Sequence, residues 1–172
     1  MMTIAALFST AGFSCLAADP ADIWPGAGTW RVALMRGTAS PVCTALALPQ
    51  HVDNFDFIAS FAFSKTTTHF YVQFSGTGWP APRKINLVAD ETLMFGGPAE
   101  QTPPHAPAAA IFRIDLPGNV LAQTIIPALT HATTLRIRLD TTALTVPVPD
   151  FSRVVADLKS CIDAGNHLGR QP

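Results

Sequence analysis

The chain has 172 residues, of which 48% are hydrophobic and only 13% are charged, about half the charged share of an average soluble domain. Eleven Lys and Arg residues face twelve Asp and Glu residues, so the formal net charge at pH 7 is −1. A near-neutral chain without a basic run lacks the electrostatic features that attract a nucleic acid backbone or anionic lipid. We therefore expect a protein that binds no nucleic acid.

The N-terminal segment, residues 1–17, is predicted to be a signal peptide because it is apolar, rich in small residues and too short to cross a bilayer. Cleavage is expected after Ala17, although no Lys or Arg precedes Arg31 to form the usual positive region. Two alternatives remain: a buried apolar strand or helix, and lipidation at Cys15. Cleavage predicts a periplasmic or secreted protein with no integral membrane segment.

Cysteine usage points to the same compartment. Removal of Cys15 with the signal peptide would leave Cys43 and Cys161, and two cysteines in an exported protein predict a disulfide first. The alternative is a pair of unrelated buried thiols in a cytosolic protein.

The rest of the chain divides into a linker-like lead-in at residues 18–29, a single β-rich domain at 30–165 and a flexible tail at 166–172. Period-two alternation and turn residues mark the strands, and helical spacing marks two helices, Asn119–Leu129 and Phe151–Gly165. The predicted strands are Trp30–Leu34, Val42–Leu48, Phe55–Phe63, His69–Phe74, Lys84–Ala89, Thr92–Phe95, Ala109–Leu116, Thr133–Leu139 and Ala143–Val148. The Pro-rich stretch 96–108 is predicted to be an exposed loop.

The stretch Phe55–Phe74 is predicted to be a β-hairpin that holds the core. In Phe55–Phe63 every odd position is apolar and four of these five residues are Phe, so the rings share one face. Phe70 and Phe74 share a face of the following strand, and large rings dominate the energy of burial.

The short connections favour an antiparallel arrangement. The fold class predicted is mainly β: an antiparallel β-sandwich or partly closed barrel of about eight strands, with the C-terminal helix packed on it.

Few residues suggest chemistry. His51, Asp53, Asp56 and His69 are the best candidates for a metal site, since metals need at least three convergent donors, but a solvated hairpin rim explains them as well. Asp90 and Glu91 are adjacent carboxylates, for which a hairpin turn is the better explanation than acid–base catalysis. Neither a cofactor nor a catalytic residue is predicted.

Arg136 and Arg138 share one outward strand face, with Arg113 expected near them, and a solvated face paired with acidic residues is favoured over an anion site. Trp79 lies in a Pro-rich loop, where an exposed aromatic ring can mark a contact surface. The predicted contact surface is the rim of the Phe-rich hairpin, formed by His51, Asp53, Lys65 and Trp79.

The segment Gly28-Thr29-Trp30-Arg31-Val32, followed by Cys43, resembles the Gly-x-Trp-x-Val…Cys opening of invasion-associated locus B-like proteins, small exported proteins of Gram-negative bacteria. The ending, Phe151–Leu158 and then Cys161, is similar to closing helices of related periplasmic proteins. In that family a Cys often lies two residues after the Val, where this chain has Leu34. The resemblance therefore implies that Cys43 has no partner on the first strand and pairs with Cys161. The resemblance implies a periplasmic β-sandwich-like fold and an envelope or host-association role, with no catalytic residue.

The leading functional prediction is a non-catalytic exported protein that binds a protein or an envelope component. Three alternatives remain open: a lysozyme-inhibitor-like module, a small-ligand carrier whose aromatic face lines a cavity, and a metal-dependent enzyme that uses the His51, Asp53, Asp56 and His69 region. The sequence leaves the oligomeric state undetermined.

Overall fold

The computed structural model describes residues 22–35, 42–52, 55–64, 67–75, 79–102 and 109–168. Twelve strands form in these ranges, together with a helical segment in the middle of the chain and a long C-terminal helix. The strands are β1 (Ile23–Trp24), β2 (Trp30–Met35), β3 (Val42–Ala47), β4 (Gln50–Val52), β5 (Phe55–Phe63), β6 (Thr68–Ser75), β7 (Lys84–Ala89), β8 (Thr92–Pro98), β9 (Glu100–Thr102), β10 (Ala109–Leu116), β11 (Thr134–Leu139) and β12 (Thr142–Pro147).

The strands build two antiparallel sheets. Sheet A has the order β1-β2-β3-β5-β6-β10-β9, and β4 pairs with β5 beyond the end of β3. Sheet B has the order β12-β11-β7-β8. Their apolar faces enclose one core, so the predicted antiparallel β-sandwich is confirmed, without the closure of a barrel.

The Phe-rich hairpin forms as predicted, because β5 and β6 are antiparallel neighbours with Phe57 opposite Phe74 and Phe61 opposite Phe70. These four rings are at most 1% exposed. The centroids of Phe61 and Phe70 lie 4.9 Å apart, and those of Phe57 and Phe74 lie 6.3 Å apart. The aromatic face that a small-ligand carrier would need as a cavity wall is therefore buried in the core.

Trp30 joins the two sheets to the C-terminal helix. It is fully buried, and its indole Nε1 donates a 2.9 Å hydrogen bond to the carbonyl of Pro147 at the end of β12. Its ring stacks on Phe61 at 6.1 Å and meets the edge of Phe151 at 5.3 Å. Before it, Gly28 has φ +58°, and an added Cβ would lie 2.4 Å from Pro149 Cγ. The Gly-x-Trp motif is therefore structural.

The C-terminal helix, α3 (Phe151–Leu168), completes the layer opposite sheet A. Its apolar side chains Val154 and Leu158 are buried, and the helix packs against β2 and β3. The predicted disulfide is present: Cys161 of α3 is bonded to Cys43 of β3, with the two Cα atoms 6.0 Å apart. The bond ties the last element of the chain to the third strand.

The helical segment after β10 runs further than the predicted 119–129. It comprises α1 (Gly118–Val120), a π-helical stretch at Leu121–Ile125 and α2 (Ile126–His131). The wide turn lies directly before Pro127, which has no N–H to continue the α-helical pattern. Ile126 N–H donates to Leu121 O, five residues back.

Several sequence predictions need correction. The predicted loop 96–108 contains the end of β8 and all of β9, while its residues 103–108 lie outside the described part. The predicted lead-in contains β1, and Gly26 N donates a 2.8 Å hydrogen bond to Asp157 of α3. Helix α3 continues three residues beyond Gly165, its predicted end. The three added strands have only two or three residues, too few for a visible alternation.

Within the described ranges, no helix combines the length with the apolar character that crossing a bilayer requires.

Candidate functional site

The outer face of sheet A, which points away from the core, carries an ion-pair network on three neighbouring strands. His69 of β6 lies directly opposite Asp115 of β10, and Arg113 of β10 lies opposite Glu100 of β9. Residues opposite each other in antiparallel strands have side chains on the same face and in contact range. Alternation along each strand therefore places all four groups together on the outer face.

The network is held by short contacts. His69 Nδ1 lies 2.7 Å from Asp115 Oδ1, and Arg113 Nη2 donates a hydrogen bond to Glu100 Oε2. Arg113 Nε is buried and lies 3.3 Å from the same Asp115 oxygen, an ion pair without hydrogen-bond geometry. The hydrogen bond to Glu100 and the charge of Asp115 raise the pKa of the Arg113 guanidinium, against the opposing effect of burial.

Exposure within the network differs between the acidic and basic groups. The side chains of Asp115 and Glu100 are 63% and 59% exposed, whereas those of His69 and Arg113 are 20% and 28% exposed. The basic groups are therefore covered by the sheet, while carboxylate oxygens remain open to hydrogen-bond donors from a partner. Tyr71 lies opposite Arg113, and its ring meets that of His69 at 5.9 Å.

An apolar strip adjoins this network on the same face. Ala33, Leu46 and Ile58, from β2, β3 and β5, form a small cluster separate from the main core and are at most 4% exposed. The half-buried side chains that pack against the cluster are Ile23, Met35 and Leu48. The outer face of sheet A is thus apolar on β2, β3 and part of β5, and polar on β6, β10 and β9.

The candidate metal ligands that the structure describes, His51, Asp56 and His69, do not come together. His51 of β4 lies opposite Asp56 of β5, with His51 Nδ1 2.9 Å from Asp56 Oδ1, and both side chains are well exposed. His69 lies opposite Ala62, six residues further along β5 and about 20 Å away at 3.3 Å per residue. Asp53 lies outside the described residues. Within the described part, no three His, Cys, Asp or Glu side chains are grouped as metal ligands.

Two of the predicted rim residues, His51 and Trp79, are described by the structure. Trp79 is half-buried and stacks on Phe74 at 4.0 Å, with Phe55 against its edge at 5.2 Å, so it closes one end of the core. His51 is exposed at the same end of β5. Lys65 lies outside the described residues.

The predicted neighbourhood of the three arginines is wrong. Arg113 belongs to sheet A, whereas Arg136 and Arg138 lie on the outer face of sheet B. Arg136 Nη1 lies 3.4 Å from Glu91 Oε1, as expected for a solvated, paired sheet face. Local alternation shows which side chains share a face of a strand, but it does not show which of the two sheets each strand joins.

Asp90 and Glu91 form the turn between β7 and β8, as predicted. Asp90 has φ +48° and its Oδ1 accepts hydrogen bonds of 3.0 Å from the hydroxyls of Thr133 and Thr134. These hydroxyl bonds, foremost that of Thr133, lower the pKa of the Asp90 carboxyl. The carboxylate thereby fixes the start of β11 beside the hairpin and has a structural role.

A pH-dependent contribution to stability follows from Asp90. Because its pKa is lower in the folded than in the unfolded chain, its stabilising contribution is fully present above about pH 4, the unfolded value, and is lost as the pH falls through the folded value. We expect the stability difference between the native chain and Asp90→Asn to be larger at pH 6 than at pH 3 in urea titrations. The difference should shrink in a Thr134→Val background. An equal difference at both pH values would contradict the assignment.

No protein-family model matches the chain, and no curated protein sequence matches it. The architecture is that of a small antiparallel β-sandwich in which a four-stranded sheet and a C-terminal helix together cover a larger sheet. The crystal structure of invasion associated protein B from Bartonella henselae is similar, with a TM-score of 0.54 and 17% identity over 80% of this chain and 95% of that chain. The resemblance noted in the sequence is thereby confirmed as a likeness of fold.

Proposed function

We propose that the protein is an exported, non-catalytic binding protein whose outer face of sheet A contacts a protein or an envelope component. The observation that carries the proposal is the division of this face. The half-buried apolar side chains of Met35 and Leu48 lie on the same face as the partly open carboxylates of Asp115 and Glu100. Apolar area with neighbouring polar groups is the composition that protein contact surfaces use.

Export is supported by two features of the chain. The disulfide between Cys43 and Cys161 belongs to a class of bond that persists in oxidising compartments such as the periplasm. The apolar segment at residues 1–17 has the length and composition of a signal peptide. The structural neighbour is described as an invasion associated protein, which agrees with an envelope or host-association role.

The non-catalytic part of the proposal is supported by how the ionisable groups are used. His69 is held by Asp115, and Arg113 is shared between Asp115 and Glu100. Asp90 is engaged by the start of β11. The four groups on sheet A bind one another across strands, which suits a rigid recognition face.

The test is capture of a partner from envelope extract by the full disulfide-bonded chain, with two charge-reversal variants of exposed acidic residues. Asp115→Lys changes the network, and Asp163→Lys changes α3 by the same charge. We expect the same partner to be retained by the native chain and by Asp163→Lys, and at least tenfold less by Asp115→Lys, with all three melting alike. Equal retention by all three chains, or no partner above background, would refute the proposal.

A further inference from the structure

β12 is an open edge of sheet B. Val148 N donates to Thr133 O across the ladder to β11, so the backbone groups of every second residue from Val148 face β11. The N–H and C=O groups of the alternate residues Ala143 and Thr145 therefore face away from the sheet. Both residues are exposed, and among the described residues none forms a hydrogen bond with these groups. The edge thus presents two donors and two acceptors.

The other strand edges of the sandwich are protected in ways that β12 is not. β1 and β9 have two and three residues, too short to template a partner strand. β8 is interrupted by a bulge opposite Leu87 and Val88 and ends in Gly96-Gly97-Pro98. Short edges, bulges, charges and prolines are the devices by which proteins block strand addition. β12 has six residues and no charge. Protection is confined to its end, where Pro147 has no N–H and its carbonyl accepts the hydrogen bond from Trp30 Nε1.

A cationic row lies immediately behind this edge. On the outer face of sheet B, Arg138 lies opposite Ala143 and Arg136 lies opposite Thr145. Arg138 is exposed and has no acidic partner among the described residues, while the 3.4 Å pair of Arg136 with Glu91 is exposed and therefore weak. Because Ala143 and Thr145 are small, they do not screen the arginines from a strand placed beside β12.

We propose that the β12 edge binds an extended acidic segment of a partner protein, which adds to sheet B as a fifth strand. Backbone bonds to Ala143 and Thr145 hold the segment, the usual basis of strand addition. The added strand lies about 10 Å from β11, two strand spacings away. Acidic side chains two residues apart on it reach over Ala143 and Thr145 to Arg138 and Arg136.

The charges favour this occupant over a second copy of the chain. Pairing of two β12 edges would place the arginine rows of both copies on one continuous sheet, about 14 Å apart at three strand spacings, and would leave Arg138 of each copy without an acidic partner among the described residues. An acidic segment instead neutralises Arg138, whose charge is unpaired within the described residues. The β12 edge is separate from the outer face of sheet A, so this proposal goes beyond the contact surface proposed above.

The test uses a fluorescent ten-residue peptide that alternates valine and glutamate, with a valine–lysine peptide of the same length as its control. We expect the acidic peptide to bind the full chain with an affinity that falls as salt is raised, because the contact to the arginines is electrostatic. We also expect slower amide hydrogen exchange at Ala143 and Thr145. Equal binding of the lysine peptide, or unchanged exchange at both amides, would overturn the proposal.

Matched variants of the protein locate the contact. Arg138→Glu should weaken binding at least tenfold, and Thr145→Pro should abolish it by removing an edge donor that does not serve β11. Lys159→Glu on α3, which makes the same change of charge away from β12, should bind as the native chain does. Undiminished binding by Arg138→Glu, or a free protein that is already a dimer with Ala143 and Thr145 protected, would refute the acidic occupant. An equal loss of binding in Lys159→Glu would refute the contact as well, because it would show a general effect of net charge.

Discussion

Replacing both Cys43 and Cys161 by alanine is expected to lower the free energy of unfolding by about 4–5 kcal/mol. The two cysteines are 118 residues apart, so their bond removes a large share of the conformational freedom of the unfolded chain. Both positions are also buried, at 3% and 0% exposure, so alanine leaves unfilled space around β3 and α3. Because a typical domain is stable by about 5–15 kcal/mol, the variant should be only marginally folded. Urea unfolding at neutral pH measures the difference.

Reduction of the native chain is the control for the disulfide, since it removes the bond without replacing either cysteine. The reduced chain should unfold at a clearly lower urea concentration than the oxidised chain. Alkylation of the native protein without reductant should label neither Cys43 nor Cys161. Coinciding urea midpoints for the oxidised and reduced chains would contradict a stabilising role for the bond.

Trp30→Ala is expected to lower the free energy of unfolding by about 3–5 kcal/mol, the usual cost of deleting a large buried aromatic ring. Trp30 contacts Phe61 in sheet A and Phe151 in α3, so the cavity would open where three elements meet. Trp30→Phe retains most of the ring but loses the hydrogen bond from Nε1 to the Pro147 carbonyl. We expect that variant to cost about 1–3 kcal/mol, again measured by urea unfolding.

Trp24→Phe provides a matched control, because Trp24 undergoes the same change of side chain in β1 but is only half-buried. It should cost less than Trp30→Phe. If the two variants were equally stable, the hydrogen bond to Pro147 and the junction around Trp30 would have no special weight, and the structural interpretation of the Gly-x-Trp motif would be wrong.

Much of the fold could be predicted because burial is encoded locally. Alternation at Phe57, Phe61, Phe70 and Phe74 predicted one buried face, and all four rings are in the core. The helical spacing after Asp150 predicted α3. Strands of two or three residues, such as β9, were missed because so short a segment cannot show a period, and their formation depends on a neighbour far along the chain.

The candidate site was less predictable, because it depends on strand register. His69 and Asp115 are 46 residues apart, and only the pairing of β6 with β10 brings them within 2.7 Å. The metal hypothesis failed for the same reason, since His69 and Asp56 lie on neighbouring strands but at different heights. The outward positions of Arg113 and Arg138 were visible from alternation, yet nothing local assigned them to different sheets.

The junction of Trp30 with Pro147 and Phe151 also determines when the fold can be completed during synthesis. The strands β2 and β3 come early in the chain, but the Pro147 and Phe151 partners of Trp30 and the Cys161 partner of Cys43 belong to its last quarter. Until α3 emerges, the inner faces of these strands stay uncovered, as is usual for domains with long-range contacts. The final eighteen described residues therefore complete the fold, and a product ending before Phe151 would lack the ring that packs against Trp30 and the disulfide to Cys43.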